Sequence, residues 1–459
     1  MSVELKTKLS TSATPIHTTD RATFKAIAGA LPAATRRWFS TVGFDGAPDT
    51  HVLLPDDKGA LQSVWAGVHG AAHPYALSAL PRVLPTGSYR LDDSALAIDA
   101  QAAALSWSLG CYGFNAYKLP RRAPGTLQMA KSDAAARGLR VAAAICAARN
   151  LINTPAEHLG PAELAEAVRS VANAHGAKFK ETVGEALLTA GFPAIHAVGR
   201  AAAREPRLAE LTWGNPKHPK LTLVGKGVCF DTGGLNIKGP EGMRQMKKDM
   251  GGAATALALA DLVMGLGLPV RLHLLIPAVE NAISGNAYRP GDVITTRAGV
   301  KIEIGNTDAE GRVILCDALA YGAQEKPALM IDMATLTGAA RVALGPQLPA
   351  LFSRSTELAR SLVDRGFRLH DPMWHMPLWQ PYHAGIESDV ADIVNTGKGP
   401  MAGAINAALF LADFVPDTVP WLHIDLYAGN ESTRPGRPAG GEAQTVRTLL
   451  DYLEERFGQ

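Results

Sequence analysis

The sequence predicts an α/β protein of two domains: a smaller N-terminal α/β domain, and a larger C-terminal α/β domain with a central mixed β-sheet flanked by helices. Three observations carry that expectation. The chain has 459 residues, more than one ordinary hydrophobic core encloses. Hydrophobic residues make up 47% and charged residues 19%, a globular balance. From about residue 160 onward, short apolar runs alternate with helical patterns, as in a sheet covered on both faces.

In the first part, Ala22 to Ala30 and Ala76 to Leu80 read as short helical pieces, while His51 to Leu54, Gln62 to Val68 and Ala95 to Asp99 read as strands. Pro120 to Gly125 is rich in Pro, Arg and Gly and reads as a linker or exposed loop. A strong Ala-rich helix follows from about Asp133 to Ile152, and Asn153-Thr154-Pro155 marks its end. These signals place the N-terminal domain over 1–130, a linking helix over 131–155 and the C-terminal domain over 156–459. In the latter, Leu221 to Val224, Arg271 to Ile276, Ala328 to Met333 and Leu422 to Leu426 read as strands. Gly252 to Met264 and Gly311 to Ala323 read as helices. In such folds functional residues gather in the loops after the strands.

Composition excludes little but points in one direction. A formal net charge of +2 gives no support for a strongly basic nucleic-acid or membrane surface. Cys111, Cys146, Cys229 and Cys316 are far apart and have no zinc-finger spacing, so each reads as a small hydrophobe. The N-terminal stretch has no apolar core of a secretory signal, and no run of about 18 apolar residues reads as a membrane span. The expectation is a cytoplasmic protein.

Two polar clusters stand out. Gly305-Asn306-Thr307-Asp308-Ala309-Glu310-Gly311-Arg312 sets two carboxylates and a guanidinium at alternating positions. In an extended segment Asp308, Glu310 and Arg312 would face one small volume. Either Arg312 pairs with its neighbours, or the carboxylates hold a metal and Arg312 holds a third anion. The second cluster, Val224 to Lys238 with Met246 to Gly252, follows the first strand of the catalogue above and is rich in glycine. Lys226 is followed by Gly227 rather than Ser or Thr, which argues against a phosphate loop. Asp231, Asp249, Asp308 and Glu310 supply four carboxylates that repel one another unless a cation neutralises them. An oxygen-rich set of this kind suits Mn, Mg and also Zn. Ordinary ion pairs and caps remain the other reading of the same spacing.

Asn306-Thr307-Asp308-Ala309-Glu310-Gly311-Arg312 resembles the signature of the leucyl (cytosol) aminopeptidases, peptidase family M17. Val224 to Gly227, Phe230 to Gly234, Lys238, Lys248 to Ala253, Ala334 to Ala339, Ser388 to Asp392, Asn395 to Gly397 and Trp421 to Asp425 match that family in order and spacing. The resemblance covers roughly residues 150 to 459; before that only Tyr112 to Lys118 resembles a family segment, and Asn153 to Pro155 resembles the family's linker motif. It implies that the C-terminal domain is catalytic. It implies two divalent metal ions per subunit, Zn or Mn with Mg or Co as further options, held by Lys226, Asp231, Asp249, Asp308 and Glu310. Asp231 and Glu310 would bridge them. Asp308 would hold one through side chain and backbone, and Asp249 and Lys226 would complete the other, with the Lys226 amine neutral.

The resemblance further implies that water activated by the metals attacks the peptide carbonyl, that Lys238 stabilises the oxyanion, and that a bicarbonate ion on Arg312 acts as general base. Met246, Thr335, Leu336 and Gly338 would bind the N-terminal residue, with an apolar preference such as Leu or Met. Substrates would be peptides with a free N-terminus, and the subunits would assemble as a homohexamer. Competing readings are a narrow dipeptidase acting for example on Cys-Gly, a DNA-binding accessory protein, which the charge does not support, and a pseudoenzyme, against which the intact motif positions argue. His423 reads as a core histidine, and Lys247 and Lys248 as a basic rim or as solvated or ion-paired groups.

Overall fold

The computed structural model describes residues 3–458. Two compact units divide the chain. The first takes the chain up to Cys146 together with Ser432–Ala439, and the second takes Ala147–Glu431 and the residues from Gly440 onward.

The first unit is built on a six-stranded sheet in the order Val3–Lys6, Thr126–Ala130, Ser88–Asp92, Thr14–Thr19, Leu61–Gly67 and His51–Pro55. All neighbours are parallel except the last pair, which is antiparallel. The helix Ala100–Cys111 is apolar nearly all round, and its residues from Ala102 to Gly110 are all buried. Two expectations fail here. Ala95 to Asp99 is not a strand. Its apolar residues, Leu96 and Ile98, pack on the core from irregular backbone, while the Asp99 carboxylate accepts a hydrogen bond from the Ala102 amide and starts the helix. Ala76 to Leu80 is a series of tight turns, and the short helix comes later, at Leu80–Val83, where Pro81 fits the first helical turn. Pro120 to Arg122 is exposed loop inside this unit.

The second unit carries a nine-stranded mixed sheet. Eight strands run in the order Trp374–His375, Ala350–Ser353, Trp421–Asp425, Leu329–Ala334, Lys220–Gly225, Arg271–Asn281, Arg207–Trp213 and Lys178–Val183, and Gly227–Asp231 pairs with the far half of Arg271–Asn281. The four central strands are mutually parallel. The flanking pairs of Arg207–Trp213 and of Ala350–Ser353 with Trp421–Asp425 are antiparallel.

Alternation along one central strand shows how both faces are covered. Val224 belongs to a core with Val313 and Ile314 of the helix Glu310–Ala323 and with Leu275 and Met330 of the sheet. Its neighbour Gly225 turns to the other face, where a Cβ would lie 2.5 Å from the Ala253 Cα of the helix Gly251–Gly265. That helix is buried along almost its whole length, which matches its near-uniform apolar sequence. Its first turn lies against the end of Leu329–Ala334, where a side chain at Gly252 would strike the Met333 carbonyl. Gly225 and Gly252 therefore let helix and sheet approach backbone to backbone.

Parallel central strands end on the same edge. Lys226 follows Lys220–Gly225, Asp231 and Asn281 end their strands, Thr335 and Leu336 follow Leu329–Ala334, and Asp425 ends Trp421–Asp425. The fold thus brings residues scattered over two hundred positions to one rim.

Candidate active site

Lys226 is anchored before its side chain does anything. Its amide donates to the Met333 carbonyl at 3.0 Å, and its own carbonyl accepts from Ala253 at 2.9 Å. The side chain is buried, and the ammonium donates to the Thr335 carbonyl at 3.0 Å while lying 2.8 Å from both Asp249 Oδ2 and Glu310 Oε1. A Cβ at Gly311 would lie 2.6 Å from the lysine Cε and Nζ, so the glycine in the first turn of Glu310–Ala323 makes room for this amine.

Asp231 is held from three sides. Its Oδ1 accepts from the Gly233 amide and from Asn281 Nδ2, both at 2.8 Å, and its Oδ2 lies 2.7 Å from Lys238 Nζ. Lys238 also pairs with Asp308. Asp249 Oδ1 accepts from the Thr335 hydroxyl at 2.8 Å. Asp231, Asp308 and Glu310 each offer a carboxylate oxygen, and the three oxygens lie within 4.8 Å of one another.

That crowding is visible in the protonation chemistry. Burial, followed by the Asp231 charge, pushes Glu310 up to about 8 and Asp308 up to about 6. Burial alone would lower the Lys226 amine, but Asp249, Glu310 and Asp231 override it and hold the ammonium well above its ordinary range. Lys238 is raised in the same way, burial being outweighed by Asp231 and Asp308. Glu310 Oε2 is buried with no hydrogen-bond partner. Three converging carboxylates, buried carboxylate oxygens of Asp249, Asp308 and Glu310 without hydrogen-bond partners, and two amines standing in as counter-cations form a donor set that fits divalent ions.

A folded-state pKa raised above the ordinary carboxylate values of 3.8 and 4.5 means that the native state holds the proton more tightly than the unfolded chain. The stability these groups favour is therefore present at low pH and lost as pH rises through about 8. We expect the melting temperature of EDTA-treated protein to fall between pH 5 and 8, and to fall less in Glu310→Gln. Equal slopes for the two proteins, measured by calorimetry, would contradict the placement of Glu310 in this crowd.

The octapeptide does not bring its charges together as an extended segment. Gly305 to Ala309 is a turn, and Glu310 and Arg312 lie in the first turn of a helix. Asp308 and Glu310 converge because the turn and the helix start fold toward Lys226 and Lys238, not because alternate residues share a strand face. Arg312 instead lines an adjoining cavity of about 440 Å³, shared with Asp308, Leu336 and Gly338. Its Nη1 donates to the Asn395 carbonyl at 2.8 Å, and its Nε is buried without a partner. Burial lowers it to about 10, against the opposing pull of Glu310 and Asp425.

Met246, Thr335, Leu336 and Gly338 line the smaller cavity that also holds Lys226 and Lys238. Residues 336 and 337 are fixed by Asp425, which accepts from the Leu336 amide at 2.9 Å and from the Thr337 hydroxyl at 2.6 Å. His423 is fully buried, its Nδ1 2.6 Å from Asp332 Oδ1, which fits a core histidine. Lys248 is half-buried: its ammonium sits 4.6 Å from the centre of the Tyr427 ring, and burial lowers it to about 8.

Residues 146–450 match the cytosol aminopeptidase family, catalytic domain, and residues 14–130 match the M17 aminopeptidase, N-terminal domain. The chain belongs to the cytosol aminopeptidase family. The family is one of metal-dependent hydrolases, and the curated relatives that the chain matches are named probable cytosol aminopeptidases. A probable cytosol aminopeptidase of Syntrophotalea carbinolica is 45% identical over 324 residues, 70% of this chain and 65% of that protein. The crystal structure of a cytosol aminopeptidase from Coxiella burnetii is 48% identical, covers 99% of both chains and superposes with a TM-score of 0.94. The bottromycin maturation enzyme BotP in complex with Mn is 34% identical, covers 97% of this chain and 100% of that one, and has a TM-score of 0.86.

Several residues that shape this family site carried no role in the sequence reading. Thr307 is the chief one. Its hydroxyl donates to the Gly233 carbonyl at 2.6 Å, its amide to Asn236 Oδ1 at 2.8 Å, and its carbonyl accepts from Asn281 Nδ2 and the Tyr288 hydroxyl. Asn395 accepts from the Gly305 amide and donates to the Asn306 carbonyl. Asn281 and Tyr288 lie outside every motif that the sequence singles out, and only contact with Thr307 reveals them.

Proposed function

We propose that this chain is a dinuclear metal-dependent aminopeptidase that removes the N-terminal residue from peptides. The observation that carries the reading is the convergence of Asp231, Asp308 and Glu310 within 4.8 Å, inside the stretch that matches the family's catalytic domain. Lys226, Asp231, Asp249, Asp308 and Glu310 would hold the two ions, with Zn or Mn as the resident metal. Bound there, the ions supply Lewis acidity, which lowers the pKa of water and fixes a free α-amine.

The chain's own groups do the rest. Lys238, held as a cation by Asp231 and Asp308, donates hydrogen bonds to a carbonyl oxygen as negative charge develops on it. Arg312, with a buried Nε free to donate, would hold bicarbonate, which would supply a proton acceptor that no histidine or spare carboxylate provides. Met246 and Leu336 offer apolar surface to the N-terminal side chain, and the Leu336 carbonyl accepts from the substrate amine or amide. The reading includes assembly as a homohexamer, and the relatives' name supports a cytoplasmic location.

EDTA-stripped protein should hydrolyse none of a panel of aminoacyl amides, and addition of Mn, Zn, Co or Mg should restore cleavage, with different rates for different metals. No activity with any of the four would overturn the reading.

A further inference from the structure

Beside the carboxylate cluster, two cations converge on one aromatic ring. Lys248 Nζ lies 4.6 Å, and the Arg341 guanidinium carbon 5.3 Å, from the centre of the Tyr427 ring. Both residues line the cavity that also contains Met246, Lys226 and Lys238. Among the described residues, neither side chain forms a salt bridge. The ring itself is tethered, its hydroxyl donating to Gln245 Oε1 at 3.0 Å.

Two like charges share one ring; Asp249 and Asp425 act on Lys248 and Glu431 on the ring, but none of these carboxylates forms an ion pair with Lys248 or Arg341. The ring face supplies partial compensation to each. It cannot supply the bidentate, charge-assisted hydrogen bonds that a guanidinium makes to a carboxylate. Asp249, the nearest acid in sequence, is already engaged by Lys226 and Thr335.

We propose that Lys248 and Arg341 form a carboxylate subsite, so that substrates bearing a carboxylate next to the cleavage point are favoured over their neutral counterparts. The inference rests on the aminopeptidase reading and sharpens its substrate class. Two sources share this chemistry: an acidic side chain on the N-terminal residue, and the terminal carboxylate of a dipeptide.

The test uses metal-loaded protein and two substrate pairs. Glu-Ala-amide against Gln-Ala-amide reports the side chain, and Leu-Ala against Leu-Ala-amide reports the chain end. In one pair the wild type should prefer the acid in kcat/KM. That preference should fall on the order of ten-fold in Arg341→Gln, as expected for loss of a charged hydrogen bond. Arg341→Lys should retain part of it, which a misfolded variant would not. A loss in the first pair assigns the side chain, and a loss in the second the chain end. An acid-to-neutral ratio that is the same in wild type and Arg341→Gln for both pairs overturns the subsite alone. Hydrolysis of none of the four peptides overturns the aminopeptidase reading and the subsite with it.

Discussion

Asp231→Ala should reduce turnover to the level of the EDTA-stripped protein, and its metal content should fall with it. No other carboxylate of the cluster is so fully engaged. It takes hydrogen bonds from Gly233 and Asn281, faces Lys238, and raises the pKa of both Asp308 and Glu310. Its removal deletes one of three converging oxygens and relaxes the repulsion that makes the site attract cations. Asp231→Asn is the sharper companion, because the amide oxygen still accepts from Gly233 and Asn281 while the charge is gone. Both variants should keep the native circular dichroism spectrum. A variant that is folded, binds two equivalents of Mn by elemental analysis and turns over normally would remove Asp231 from the ligand set.

Arg312→Ala should behave in the opposite way. Metal content should stay near that of the wild type, since the guanidinium lies in the adjoining cavity and donates to the Asn395 carbonyl, not to a cluster carboxylate. The catalytic constant should drop on the order of 10²- to 10⁴-fold, the usual worth of a positioned acid–base group. Wild-type-like turnover by this variant in bicarbonate-free buffer would sink the assigned role. The pair of variants separates two functions, the holding of metal at Asp231 and the holding of an anion at Arg312.

The α/β pattern of the second unit was legible because its central strands are continuous apolar runs and its helices are long and strongly patterned. Leu221 to Val224 and Gly311 to Ala323 both sit within elements of the structure. Ala95 to Asp99 misled because apolar residues can reach a core from irregular backbone, and periodicity over five residues does not separate the two cases. The charged residues of the site were legible as a set, since carboxylates and a glycine-rich loop stand out in a composition with few charges. Their geometry was not. Nothing local marks a turn that folds Asp308 toward Lys238, and the extended reading placed Arg312 in a volume it only borders. Lys248 shows the same limit: a lysine beside Asp249 reads as a rim charge until Tyr427, remote in sequence, is seen beneath it. Neutral hydrogen-bonding residues such as Asn281 and Thr307 have no signal of their own, since their role lies wholly in partners supplied by the fold.

Thr307 has a thermodynamic consequence. Its hydroxyl, amide and carbonyl stitch the segment bearing Asp308 to Gly233, Asn236, Asn281 and Tyr288. The entropy of fixing these loops is surrendered when the polypeptide folds, not when an ion arrives. Cation uptake then resembles insertion into a finished socket, and the free energy of coordination goes to displacing the site's protons and ammonium groups, not to ordering its loops.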